Sequence, residues 1–228
     1  MRFASFRHFA WVGCLAAAAM LAANLQAATT YTVIGNVDTN NTADFIFADN
    51  PFSNVDATGF TVAFTLENTS ALFNPIITGI ALTVPSGVTG FNLAASTLPT
   101  SWGTFFELGG VNTPQDVGTF DFCAESGNGD KNCGGGNPND GIAAGDSFDF
   151  VLRFLGDFDD ATLSSGDFLP LAARFQNTGS DGEGSDVAIC QNLDCDEDNV
   201  PEVPEPSTML LLGGALLGLG YIRKKRNS

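Results

Sequence analysis

Apolar and polar positions alternate through the middle of the chain. Residues 60–67, 147–154 and 169–175 place Phe, Leu or Val on one side and mostly polar or small residues on the other. A period of two over five to eight residues predicts a strand with one buried face. Further candidate strands are Tyr31–Val37, Asp44–Ala48, Ile76–Val84, Phe91–Ala95, Trp102–Leu108, Val117–Ala124 and Asp186–Cys190.

Turn-forming residues separate these ten candidate strands. Clusters such as Asn50-Pro51 and Pro85-Ser86-Gly87 interrupt the apolar pattern. Many short strands joined by turns predict an all-β fold, an antiparallel β-sandwich of immunoglobulin-like or jelly-roll type. The Phe residues of this region, most of them at inward positions, are the predicted core.

The first 27 residues have the pattern of a secretory signal peptide. Arg2 and Arg7 form a positive start, and the run from Phe9 to Ala23 has the length of a signal-peptide apolar core. Small residues follow, and Ala27 is the predicted cleavage site. Lipidation of Cys14 is the weaker alternative, because this cysteine lies inside the apolar run rather than after it.

The C-terminal region is apolar from Met209 to Ile222 and then basic at Arg223, Lys224, Lys225 and Arg226. By length alone a buried soluble helix is the alternative, since this run covers roughly 21 Å of a ~30 Å hydrocarbon core. A soluble helix is rarely apolar on every face, and flanking side chains extend a short span by snorkelling. We therefore expect a transmembrane helix with a basic, stop-transfer tail.

Charge is distributed unevenly. The net charge is −17, and residues 28–200 carry 24 acidic and three basic side chains, a formal −21. The other six basic residues lie at the two tips, a split that is typical of membrane topology, and the negative excess argues against a nucleic-acid partner. The single histidine, His8, falls in the signal peptide, so the exported chain has no imidazole for Ser-His-Asp or Cys-His catalysis.

The stretch Val203-Pro204-Glu205-Pro206-Ser207-Thr208, followed by a Leu/Gly-rich helix and a basic cluster, resembles a PEP-CTERM sorting tail. The resemblance covers Val203–Ser228. It implies that Pro204, Glu205 and Pro206 are recognised by an exosortase, a membrane-embedded transpeptidase-like enzyme of Gram-negative bacteria that make exopolysaccharide. Residues 172–185, with Arg174 and a Gly-Glu-Gly-Ser turn, also resemble a recurring hairpin of such ectodomains.

Four cysteines remain after signal removal, an even number that indicates disulfides in an exported chain. We favour the two local pairings, Cys123 with Cys133 and Cys190 with Cys195, among the three possible ones. A zinc site of four thiolates is the alternative, although spacings of ten and five residues differ from the usual two-residue knuckles.

Candidate ligand chemistry is weak elsewhere. The acidic run Asp194–Asn199 has carboxylates at alternate positions but lacks the glycine and following helix of an EF-hand. Trp102 is more consistent with a core position than with a sugar platform, and no carboxylate pair is singled out by spacing for glycoside hydrolysis. We therefore expect no enzyme activity, no cofactor and no metal.

The predicted organisation is a signal peptide (1–27), a β-sandwich ectodomain (28–195), an acidic, proline-containing linker with the sorting motif (196–206), and a transmembrane helix with a basic tail (207–228). The expected function is that of a non-catalytic surface or exopolysaccharide-matrix protein. Its partners would be signal peptidase, exosortase and the membrane, with exopolysaccharide as a further candidate. A polysaccharide- or calcium-binding module is the alternative, and a carboxylate hydrolase the third hypothesis.

Overall fold

Alternating segments of the sequence form strands throughout the described part of the molecule. The computed structural model describes residues 28–113, 117–127, 133–134, 136–159, 161–181 and 183–190. The strands are β1 (Thr29–Gly35), β2 (Thr42–Phe47), β3 (Phe52–Asp56), β4 (Gly59–Asn68), β5 (Ile76–Leu82), β6 (Val88–Phe91), β7 (Trp102–Asn112), β8 (Thr119–Ser126), β9 (Ser147–Gly156), β10 (Leu171–Gln176) and β11 (Ser185–Cys190). Short 3₁₀ turns occur at Leu93–Ala95, Pro138–Asp140 and Ser165–Phe168.

All strand pairs are antiparallel and belong to one sheet. The order is β6-β9-β4-β2-β1-β11-β10-β5-β8-β7, and β3 forms a hairpin with β4. The predicted all-β, antiparallel class is therefore confirmed. The immunoglobulin-like or jelly-roll type stays a prediction.

The sheet curls until its two ends nearly meet around one aromatic core. Phe91 of β6 packs on Phe122 of β8 with ring centroids 4.7 Å apart, and Phe106 of β7 lies 6.5 Å from Phe154 of β9. Nine Phe side chains are among the largest fully buried groups. Seven occupy inward strand positions in the main core, Phe168 joins that core from a 3₁₀ turn, and Phe120 packs in a second cluster on the opposite face.

Three details differ from the sequence prediction. Phe52–Asp56 forms a strand that was not predicted, because it is a mostly exposed edge segment without an apolar face. Phe91–Ala95 was predicted as a strand, yet the strand ends at Phe91 and a 3₁₀ turn follows. The strand predicted from Leu169 begins only at Leu171, since Pro170 has no N–H to donate to a neighbouring strand.

Candidate functional site: the disulfide cluster and the sorting tail

Cys123 and Cys133 form a disulfide bond, with their Cα atoms 5.8 Å apart. Cys123 lies in β8 on the face of the sheet turned away from the main core, and Cys133 belongs to the connection between β8 and β9. Both are buried in a small second cluster with residues such as Val111 and Val187. The bond removes two of the four thiolates that a four-cysteine zinc site would need.

The last cysteine of the described residues, Cys190, is buried at the end of β11 and is also disulfide-bonded. Its partner lies outside the described residues, as does Cys195. The pairing of Cys190 with Cys195 therefore remains a prediction.

Replacing Cys123 and Cys133 together by alanine should lower the free energy of unfolding by about 3 kcal/mol, the cost of opening a loop of this length. The matched pair Cys190→Ala/Cys195→Ala opens a shorter loop and should cost less. Urea unfolding of both double variants measures the difference. An equal or larger loss in the second pair would contradict this ranking.

A buried carboxylate lies beside the Cys123–Cys133 sulfurs. Glu125 is fully buried, and one of its carboxylate oxygens lies within 4.8 Å of both sulfur atoms. Cys123 and Glu125 are two residues apart on β8, so they share a face of the sheet. Sequence reasoning assigned no role to Glu125, which lies one residue beyond the predicted strand Val117–Ala124 and inside the observed strand β8.

Arg174 lies on the same face, two strands away from Glu125. Arg174 is opposite Gly79, and Gly79 is opposite Glu125, in the registers of β10, β5 and β8. Gly79 leaves the space between them free of a side chain, since a Cβ there would lie 3.3 Å from the Glu125 Cβ and 3.7 Å from the Cys133 sulfur. The predicted hairpin that carries Arg174 is present as β10 and β11.

Trp102 lies in the core rather than on a sugar-binding surface. Only 7% of this residue is exposed, its ring packs edge-on against Phe150, and its indole N–H donates to the Asp140 carbonyl at 2.8 Å. The ring face is therefore used for packing within the protein.

Two partly exposed acidic side chains stabilise tight turns. Asp38 accepts a hydrogen bond from the Asn40 amide at 2.9 Å, and Asp56 accepts one from the Thr58 amide at 2.7 Å. The Asn40 backbone amide lowers the pKa of Asp38, and the Thr58 hydroxyl lowers the pKa of Asp56. Their stabilisation is therefore present above the ordinary carboxyl pKa and is lost as pH falls through the lowered values.

The buried carboxylate of Asp186 joins β11 to the β1–β2 loop. Its Oδ1 accepts from the backbone amides of Val37 and Val187 at 3.0 and 2.8 Å. Its Oδ2 accepts from the Asp38 amide and the Asn41 side chain at 3.0 and 2.9 Å. This carboxylate is therefore an internal acceptor for four donors.

The predicted sorting and processing residues lie outside the described residues. They are Ala27, Pro204, Glu205, Pro206, Arg223, Lys224, Lys225 and Arg226. The same holds for the acidic run Asp194–Asn199 and the predicted helix at 207–228. Within the part of the chain that the structure describes, none of the helical segments has the length and hydropathy needed to cross a membrane.

Comparison with protein families identifies residues 202–226 as a PEP-CTERM protein-sorting motif. The predicted motif is thereby confirmed, and it marks the chain as an exported protein of the cell envelope that is targeted to exosortase. No curated protein and no solved structure matches the chain significantly.

Proposed function

We propose that the folded domain is a non-catalytic component of the outer surface or exopolysaccharide matrix of a Gram-negative bacterium. The observation that carries this proposal is the sorting motif at residues 202–226. In the proposed route, signal peptidase cleaves after Ala27, the helix at 207–228 holds the chain in the inner membrane, and exosortase then removes that tail.

The use of the acidic side chains supports a structural rather than a catalytic role. The carboxylates of Asp186 and Asp121 both accept hydrogen bonds from backbone amides. Asp121 accepts one from Val84 at 2.9 Å and one from Gly109 at 2.6 Å. Paired carboxylates for hydrolysis need a proton donor and a free base or nucleophile facing a substrate. Carboxylate oxygens that already accept hydrogen bonds from loop amides stabilise the fold and do not face a substrate as a base or nucleophile.

One observation favours divalent cations as surface ligands, the second candidate function. Asp44 and Glu67 stand directly opposite each other on β2 and β4, and the Asp44 carboxylate accepts from the Thr32 hydroxyl at 2.7 Å. Like charges in this position repel, so bound counter-cations relieve the repulsion. Calcium could then bridge the acidic surface to acidic polysaccharide by many weak contacts.

Replacing Pro204, Glu205 and Pro206 by alanine should keep the protein in the inner membrane, because the recognition sequence is lost while the apolar anchor remains. The unmodified protein should appear outside the cell with an N-terminus near Ala28 and without residues 209–228. Cell fractionation and mass spectrometry of both ends measure this.

Pro201→Ala is the matched control, since this proline lies just outside the matched segment. It should be processed normally. Recovery of intact residues 222–228 on extracellular protein would disprove removal of the tail. A protein that is processed but absent from extracted matrix would disprove the matrix role alone.

A further inference from the structure

Reduction of the Cys123–Cys133 bond would place two thiols beside the Glu125 carboxylate, and the deprotonated forms of all three groups bind metal ions. Both sulfur atoms and one carboxylate oxygen lie within 4.8 Å of one another, and all three residues are buried. Thiolates and carboxylates are ordinary ligands of zinc. We propose that the dithiol form of the chain binds a zinc-class divalent ion through Cys123, Glu125 and Cys133, with a water molecule as the fourth ligand.

A small cavity beside Cys133 provides space for that water. It has room for about one water molecule, and of the three proposed ligands only Cys133 lines it. Its other lining residues are Gly79, Thr113, Arg174 and the apolar Ile80, Ala81, Ala172 and Val187. The Thr113 hydroxyl is buried and has no hydrogen-bond partner among the residues that the structure describes. A hydroxyl that lines the cavity can hydrogen-bond a metal-bound water, which a catalytic or open zinc site retains.

Local charge favours a divalent ion in the dithiol form. In the disulfide form this face of the sheet carries one negative side chain, Glu125, and one positive side chain, Arg174, two strands apart. Two thiolates add two negative charges to this buried region, and a divalent cation offsets them. Burial makes an uncompensated charge costly, so reduced thiols here either keep their protons or bind metal.

The chemistry is balanced in both directions. The chain is synthesised with thiols, and the ion displaces one proton from each of Cys123 and Cys133 as it binds. When a disulfide of an oxidising partner accepts two electrons and two protons, it becomes a dithiol, the Cys123–Cys133 bond forms and the ion is released. Cys123 and Cys133 would thus first be joined by the metal ion and then, after oxidation during export, by the disulfide.

Cobalt binding by the full chain, purified in mild detergent, tests the proposal without any mutation. A phosphine reductant converts the disulfide to two thiols and is itself oxidised to the phosphine oxide with an oxygen from water. Added Co²⁺ should then give the strong visible absorption of a tetrahedral thiolate site, and Zn²⁺ should displace it. A weak octahedral spectrum, or an equal signal without reductant, would overturn the proposal.

Variants in a Cys14→Ser background locate the ion. Glu125→Gln should weaken zinc binding by about tenfold or more, and Cys123→Ser should abolish the tetrahedral signal. The control Cys190→Ser/Cys195→Ser should bind as tightly as the parent. Loss of binding in that control, or unchanged affinity in Glu125→Gln, would overturn the assignment of these three ligands.

Discussion

Replacing Phe154 by alanine is expected to lower the free energy of unfolding by about 3–5 kcal/mol. The ring is fully buried in β9 and lies 5.6 Å from Phe60 of β4, 5.5 Å from Phe91 of β6 and 5.6 Å from Phe122 of β8. It therefore connects strands from both ends of the curled sheet. Removing it leaves a cavity that strands held in one hydrogen-bonded sheet cannot close.

Thermal unfolding followed by calorimetry measures this effect, with an expected decrease in Tm of about 6–20 °C. Phe73→Ala is the matched control, because it removes the same side chain from a residue that is 49% exposed, and it should cost at most about 1 kcal/mol. Phe154→Leu keeps much of the apolar volume and should fall between the two. Similar losses for Phe154→Ala and Phe73→Ala would contradict the assigned core.

The strands could be predicted because their signal is local. In β4 and β9 every second residue is apolar, and this period of two alone indicates which side of each strand is buried. The buried side includes Phe60 and Phe64 of β4 and Phe150 and Phe154 of β9. The neighbours of a strand are not encoded locally. The chain gives no local sign that β1 pairs with β11, whose residues are about 150 positions away.

Of the candidate site, only the disulfide between two residues close in sequence could be predicted. The pairing of Cys123 with Cys133 was favoured among three possible pairings because only ten residues separate them in an exported chain. The approach of Arg174 to the same face depends on the registers of three strands, β10, β5 and β8, and no sequence spacing contains that information. Glu125 was overlooked because an isolated acid in an acidic protein looks like a solvated residue.

The contacts of Asp186 also could not be predicted from sequence spacing, and this residue gives the second prediction with a large expected effect. Replacing Asp186 by alanine should lower the free energy of unfolding by about 3–4 kcal/mol, because buried donors lose a charged acceptor. Three backbone amides and the side chain of Asn41 donate to this carboxylate. Of these donors Asn41 and Val187 are buried, while Val37 and Asp38 lie in the more exposed loop. The fit is close, since a Cβ at Gly35 would clash with the Asp186 Oδ2.

Asp181→Ala provides the control. Among the described residues this exposed carboxylate accepts only a long, 3.5 Å bond from the Glu183 amide, so its loss should cost about 0.5 kcal/mol or less. Urea unfolding measures both variants. Hydrogen exchange adds a local test, since the amides of Val37 and Asp38 should lose protection in Asp186→Ala even under conditions where the sheet stays folded. Unchanged exchange at these two amides, or equal losses of stability in the two variants, would show that the carboxylate does not hold the loop. The predicted difference in stability between the two variants comes from burial rather than from charge, because each variant removes one aspartate carboxylate from the same acidic protein.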